Sequence, residues 1–300
     1  LLAARCTEET FQSLPHYQID VSVDLDLFTY QGTQTLNITN QESATLKELY
    51  FFLYPNTKEL TGGKGRNLVI SNVKVDGQAA RVEGAHSPLL KVNLDTPFKP
   101  GEQLTVQLDF RGLLYRQKPH ASDLKKLAME QLIQLVTGHS DHAGGYGVFS
   151  YGEGIASMAL WHPMLASYDE KGWDVDPGND IGDRSYFDVS NFSVNVKVPS
   201  DVRIATSGVE LVDQSSPKGR HFVAGAVREF ALQMSKEYDM LSTTVGGVKV
   251  NSWFLKKHRK VGASVLRQAA DALRVFESDF GAYPYRELDV AQSPLVGGAG

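Results

Sequence analysis

Tyr17-Gln18-Ile19-Asp20-Val21-Ser22-Val23-Asp24-Leu25-Asp26-Leu27 alternates without a break. Tyr17, Ile19, Val21, Val23, Leu25 and Leu27 fall on one side, and Gln18, Asp20, Ser22, Asp24 and Asp26 on the other. A period of two is the mark of a strand with one face buried and one solvated. Tyr30-Gln31-Gly32 reads as a turn, and residues 33–39 as a partner strand with Leu36 and Ile38 inward, so the chain opens on a hairpin. Residues 49–54, Leu-Tyr-Phe-Phe-Leu-Tyr, are apolar throughout and end at Pro55, which predicts a strand covered on both faces.

The same grammar continues downstream. Strands are predicted at 68–75, 89–94 and 104–110, with turns at Asp76-Gly77 and Pro100-Gly101. A helix is predicted at 122–136, where Ser122 is an acceptable cap and Leu124, Leu127, Ala128, Leu132 and Leu135 keep helical spacing. Residues 139–183 are rich in glycine, aromatics and acids and show little periodicity. That is too long for an idle connection in a compact domain and points to function. Strands resume at Phe192, Val194, Val196 and Val198, then at 202–206, 220–224 and 229–232, and Val248 opens another segment. Residues 263–280 give the strongest helix, with Val265, Leu266, Ala269, Leu273, Phe276 and Phe280 as its apolar stripe. Gly281 sits where a C-cap glycine belongs. Leu288-Asp289-Val290-Ala291 reads as a short strand, and Gly297, Gly298 and Gly300 as loop backbone that a ligand can approach closely.

The fold class expected is therefore mainly β. Residues 1–245 are read as a large β-rich region, a sandwich of mostly antiparallel strands with one helical excursion. Residues 246–300 form a small α/β piece that begins a second, incomplete domain. Three hundred residues suffice for a substantial core. The net charge of −5 offers no basic stripe for nucleic acid. The single cysteine, Cys6, excludes an intramolecular disulfide. Nothing approaches the roughly 18 apolar residues that span a membrane. The opening Leu1-Leu2-Ala3-Ala4-Arg5-Cys6 leaves open an exported protein whose leader is missing, although Arg5 fits a lipid-attachment site badly. Asn37 and Asn191 head glycosylation triplets, but both fall inside strand patterns.

Several motifs invite chemistry. Gly62, Gly63 and Gly65 lack the spacing and following hydroxyl of a phosphate loop. His139 and His142 lie three apart on a loop with no defined third ligand, so a solvated loop is the plainer reading. Asp174, Asp176, Asn179, Asp180 and Asp183 suit calcium by ligand type but miss the EF-hand positions, leaving an acidic turn as the alternative. Ser150-Tyr151-Gly152-Glu153-Gly154 is not a nucleophile elbow. Glu153, between two glycines, reads either as an acid that recognises a cationic group or as a solvated turn. None of the eight histidines is followed by glutamate, so the H-E-x-x-H zinc motif is absent.

Three stretches together resemble the front of the M1 family of zinc aminopeptidases, the gluzincins with a thermolysin-like catalytic domain. They are residues 17–40, the segment 150–198 with Trp161-His162-Pro163, and the closing F-E-S-D-F-G-A-Y-P-Y-R-E-L-D-V-A-Q-S-P-L-V-G-G-A-G at 276–300. The family places a recognition acid or glutamine before an aromatic–proline step, and Glu153 is the matching position. The closing stretch is similar to the helix, Y-P step, strand and glycine loop that lead into the family's substrate loop. The departures are Tyr151-Gly152 where the family has Thr-Gln, and no evident Ala-Arg before the aromatic–proline step. The resemblance implies that residues 1–245 are the family's N-terminal β-saddle, which caps an active site, and that residues 246–300 begin the catalytic domain. It also implies that zinc is held by ligands beyond Gly300, none of them in this chain. Glu153, Gly297, Gly298, Ala299 and Gly300 would then be the substrate-binding positions, and peptides with a free N-terminus the partners. An M1-like scaffold without catalysis, acting as a binding module, is the competing expectation, and a β-sandwich with no peptidase relation a third.

Overall fold

The computed structural model of the chain describes residues 12–61, 66–117, 147–176, 186–212 and 219–294. The helix expected at 122–136 lies outside the described residues. So do Cys6, Gly62, Gly63 and Gly65, His139 and His142, Asn179, Asp180 and Asp183, and the substrate-loop positions Gly297, Gly298, Ala299 and Gly300.

The described chain is mainly β, in several mostly antiparallel sheets. The first half supplies β1 (His16–Asp24), β2 (Thr29–Thr39), β3 (Leu46–Phe52), β4 (Leu68–Val75), β5 (Gln78–Ala79), β6 (Val82–Glu83), β7 (Leu89–Phe98) and β8 (Gln103–Leu113). Short strands follow: β9 (Phe149–Gly152), β10 (Ile155–Met158), β11 (Met164–Leu165), β12 (Tyr168–Asp169) and β13 (Gly172–Trp173). Then come β14 (Ser190–Lys197), β15 (Arg203–Thr206), β16 (Val209–Glu210), β17 (Arg220–Val227), β18 (Leu232–Ser235), β19 (Tyr238–Val245) and β20 (Val248–Leu255). Helix α1 (Arg259–Phe280) and β21 (Glu287–Ala291) complete the order.

Eight strands build the main sheet in the order β16-β17-β14-β1-β2-β8-β4-β5. The alternation quoted above does what its chemistry dictates: Tyr17, Ile19, Val21 and Val23 are buried, and Leu36 and Ile38 join them from β2. The opening hairpin turns earlier than Tyr30-Gln31-Gly32. The Asp24 carboxylate accepts the backbone N–H groups of Asp26 and Leu27 at 2.9 and 2.8 Å, Phe28 takes a φ of 57°, and Leu27 is left 70% exposed. Gly32 serves close packing instead of a turn: a Cβ there would run into the Asp20 carbonyl and, at 2.8 Å, the Phe110 ring.

Two four-stranded sheets, β15-β18-β10-β9 and β11-β3-β7-β6, pack with the main sheet around one core. Leu49, Phe51 and Leu53 are fully buried, while Tyr50 and Phe52 pack against Trp173 and Phe187 on the other side. Both faces of β3 are thus covered, as its unbroken apolar run predicts, although the strand ends at Phe52. The stretch with little periodicity, 139–183, carries short strands where described: β9 to β13 all lie in it. Their two- to four-residue lengths are too short for a periodicity to register.

Trp161-His162-Pro163 is a buried crosspiece of this core. The Tyr30 hydroxyl donates to the Trp161 carbonyl at 2.8 Å, the Trp161 indole to the Phe230 carbonyl at 2.9 Å, and the Gln34 amide to the Pro163 carbonyl at 3.0 Å.

The last strands form a separate three-stranded sheet, β19-β20-β21. Gly246 and Gly247, both with positive φ, turn the β19–β20 hairpin, so the expected boundary at 245/246 falls at a hairpin tip. β20 and β21 are parallel, joined through α1, as a crossover connection requires. Val245, Val248, Val250, Ala270 and Leu273 make the small core between sheet and helix. Gly281 closes α1 with a φ of 96° that glycine adopts without strain, its N–H donating to the Glu277 carbonyl.

Candidate functional site

Glu153 stands at the tip of the β9–β10 hairpin. Gly152 pairs with Ile155, so the loop is the two residues Glu153 and Gly154, with φ of 51° and 82°. Two positive φ angles in succession match the tight turn that follows the twist of an antiparallel pair. Gly154 takes its place freely. For Glu153, left-handed backbone costs on the order of 1 kcal/mol. Its side chain is exposed and makes no hydrogen bond or ion pair among the described residues. The Ser235 hydroxyl donates to the Gly154 carbonyl at 2.7 Å and holds the turn.

The base of that turn touches the end of the second unit. The Gln117 amide nitrogen donates to the Ser150 hydroxyl at 3.0 Å and to the Pro294 carbonyl at 2.6 Å, while the Gln117 backbone N–H donates to the Tyr151 carbonyl at 3.0 Å. Ser150, fully buried, donates in turn to the Gly147 carbonyl at 2.9 Å. Gly152 makes the approach possible, because a Cβ there would lie 2.5 Å from Gln117 Oε1 and 3.1 Å from Pro294 Cβ. The exit from β21 is fixed by further bonds. The Tyr238 hydroxyl donates to the Gln292 carbonyl, and Gln292 Oε1 lies 3.1 Å from the Leu255 N–H and 3.0 Å from His258 Nδ1. Buried in this junction, the Tyr238 hydroxyl has its pKa raised. Gln117, Ser235 and Gln292 were invisible to sequence reasoning, since each acts through contacts distant along the chain and belongs to no motif.

Nearby charges are committed elsewhere. Lys236 pairs with Asp26 at 3.2 Å and Asp201 at 3.8 Å, and the Asp26 hydrogen bond raises its pKa. On the three-stranded sheet, the buried Asn251 amide donates to both Glu287 and Asp289, and Lys249 pairs with Glu287 at 2.8 Å. Burial raises the Asp289 pKa.

No group of three His, Cys, Asp or Glu able to hold a metal occurs among the described residues. His162 is committed to the core. Its Nδ1 faces two acceptors, Gln34 Oε1 at 2.8 Å and the Pro163 carbonyl at 3.2 Å, so that nitrogen carries the proton. The described calcium candidates, Asp174 and Asp176, are exposed. A hollow of about 900 Å³ lies on the polar face of the main sheet, lined among others by Asp20, Gln31, Asp109, Arg111 and Lys197. It shares no residue with the Glu153 junction. No helix among the described residues is long and apolar enough to cross a membrane.

No family model and no curated protein sequence matches the chain. Solved structures do match its fold. An M1 zinc metallopeptidase from Deinococcus radiodurans aligns over 95% of this chain with a TM-score of 0.54 at 17% identity. A mutant M1 zinc metallopeptidase from the same organism, bound to a Tyr-Ser-Ala substrate, aligns with a TM-score of 0.54 at 17% identity. A two-domain M1 zinc metallopeptidase mutant bound to L-tryptophan gives a TM-score of 0.54 at 16% identity. Each alignment covers 95% of this chain and 57% of the other, so the chain spans little more than half the length of these structures. The likeness is one of fold.

Proposed function

We propose that this chain is the non-zinc portion of an M1-like metalloaminopeptidase, an enzyme that removes N-terminal residues from peptides. In this reading the strands preceding β19 cap the substrate cleft, and the β19–β20–α1–β21 unit begins the catalytic domain. The sequence-based division at 245/246 is better drawn before Tyr238, so that the β19–β20 hairpin stays whole. Zinc would be held by ligands other than the described residues of this chain.

Glu153 receives the free α-amine of the substrate. A carboxylate with no partner among the described residues, on a turn whose backbone is strained, is suited to pair with an ammonium group. Such pairing favours chain ends over internal peptide bonds, because only a chain end presents the cation. Gly297, Gly298, Ala299 and Gly300 follow Pro294 in sequence and would offer backbone N–H and carbonyl groups to the substrate chain. The observation that carries the reading is the junction itself: the Glu153 turn and the end of β21 meet across Gly152 and Pro294.

The full-length protein provides the test. It is expected to release the first residue of aminoacyl p-nitroanilides, to lose that activity on chelation and to regain it with zinc. Activity that survives chelation, or none on a panel of such substrates, would overturn the proposal. In the second case the binding-module alternative takes its place.

A further inference from the structure

We infer that Gln117 is a positioning residue that sets the gap between the amine-recognition turn and the end of β21. The inference rests on the aminopeptidase reading of the Glu153 junction and adds a residue to it. One amide nitrogen spans the two units, donating to Ser150 Oγ at 3.0 Å on the β9 side and to the Pro294 carbonyl at 2.6 Å on the β21 side. Ser150 and Pro294 are both buried, so these bonds face little competition from water. The strand partners are fixed independently of the clamp. Gly152 pairs with Ile155, and Gln292 is held by Trp253, Tyr238 and Leu255. Among the described residues, Gln117 ties the first border to the second through one side chain with two acceptors. Gly152 completes the fit, since any side chain there would displace the Gln117 carbonyl oxygen. Glu153 is the next residue, so a shift of this border moves its carboxylate relative to whatever binds alongside Pro294.

The chemistry of the clamp is directional. An amide nitrogen satisfies two oxygen acceptors, whereas a carboxylate of the same shape satisfies neither as a donor and places its charge beside the Pro294 carbonyl. Gln117→Glu therefore breaks the clamp without changing volume, and Gln117→Ala breaks it by truncation.

Both variants are to be made in the full-length enzyme and assayed on aminoacyl p-nitroanilides, with thermal melting and hydrogen exchange measured in parallel. The clamp predicts that KM rises by roughly 3- to 10-fold with kcat within about twofold, the size expected for losing the one bond that crosses between the units, Gln117 to the Pro294 carbonyl. A fall in kcat that follows a lowered melting temperature, with KM unchanged, would make Gln117 merely structural and overturn the inference. So would an unchanged KM in both variants while Glu153→Ala raises it. If the wild-type enzyme has no aminopeptidase activity, the function reading fails separately, and exchange judges the clamp. Faster exchange at residues 150–156 and 288–294 in Gln117→Glu, with the rest of the chain unaffected, sustains it; unchanged exchange there refutes it. Should Gln117→Ala fail to fold, the isosteric Gln117→Glu variant carries the test alone.

Discussion

The two nitrogens of the His162 imidazole meet different surroundings. Nδ1 donates to Gln34 and Pro163, while Nε2 is buried among the rings of Tyr17, Trp161 and Phe192 with no partner among the described residues. A second proton on Nε2 would be an uncompensated buried charge, and burial brings the pKa down from 6.5 to about 3. Between those values the unfolded chain binds a proton that the folded chain refuses. His162 therefore contributes stability that is fully present above pH 6.5 and is lost as pH falls toward 3, at about 1.4 kcal/mol per pH unit. Urea unfolding at pH 7.5 and pH 5 should show wild type losing about 2 kcal/mol more than His162→Gln over that interval. Equal losses in the two proteins would contradict the assignment. The sequence flags Trp161-His162-Pro163 as a motif but not its place in the core, because its hydrogen-bond partners Tyr30, Gln34 and Phe230 lie 69 to 131 residues away. Glu153 was legible at this scale as an acid between two glycines. The turn that lifts it into the left-handed region was not, since glycine at Gly154 is what such a loop needs and glutamate is not.

Helix α1 shows what periodicity can and cannot predict. Its periodicity predicts a stripe of Val265, Leu266, Ala269, Leu273, Phe276 and Phe280. The helix is there, and Leu273 is buried, but Phe276 and Phe280 are 58% and 84% exposed, and Val261 and Val275 are exposed as well. A period of 3.6 finds the apolar side of a helix; the width that three strands can cover is a tertiary fact. Leu273 is thus expected to matter and Phe280 is not. Leu273→Ala should cost about 2–5 kcal/mol, as buried leucines do, and Phe280→Ser less than about 0.5 kcal/mol. Chemical denaturation of the two single variants against wild type checks the contrast, and equal costs would mean that Phe280 is covered. The same limit applies to Gly32. In the sequence that glycine reads as a turn, whereas it permits close contact with the Asp20 backbone and the Phe110 ring, on neighbouring strands.

At the scale of the molecule, mainly β architecture followed from alternation in β1, β2, β8 and β14, whose buried residues fall where a period of two places them. The sheet order did not, because β1 pairs in parallel with β14 across more than 160 residues, and no local pattern encodes such a partner. Nor did the junction, where Gln117 reaches Pro294 over 177 residues. What the whole fold adds to the sequence is adjacency: the turn bearing Glu153 and the strand leading toward the terminal glycines share a border. The account stands on Glu153 binding the substrate amine at that border. The most direct measurement is kcat/KM of the full-length protein and its Glu153→Ala variant on leucyl p-nitroanilide, with the N-acetylated compound as control. A charged hydrogen bond lost from a partly dry site predicts a fall of roughly 10- to 100-fold, with the acetylated compound refused by both proteins. Equal kcat/KM for wild type and variant would contradict the account.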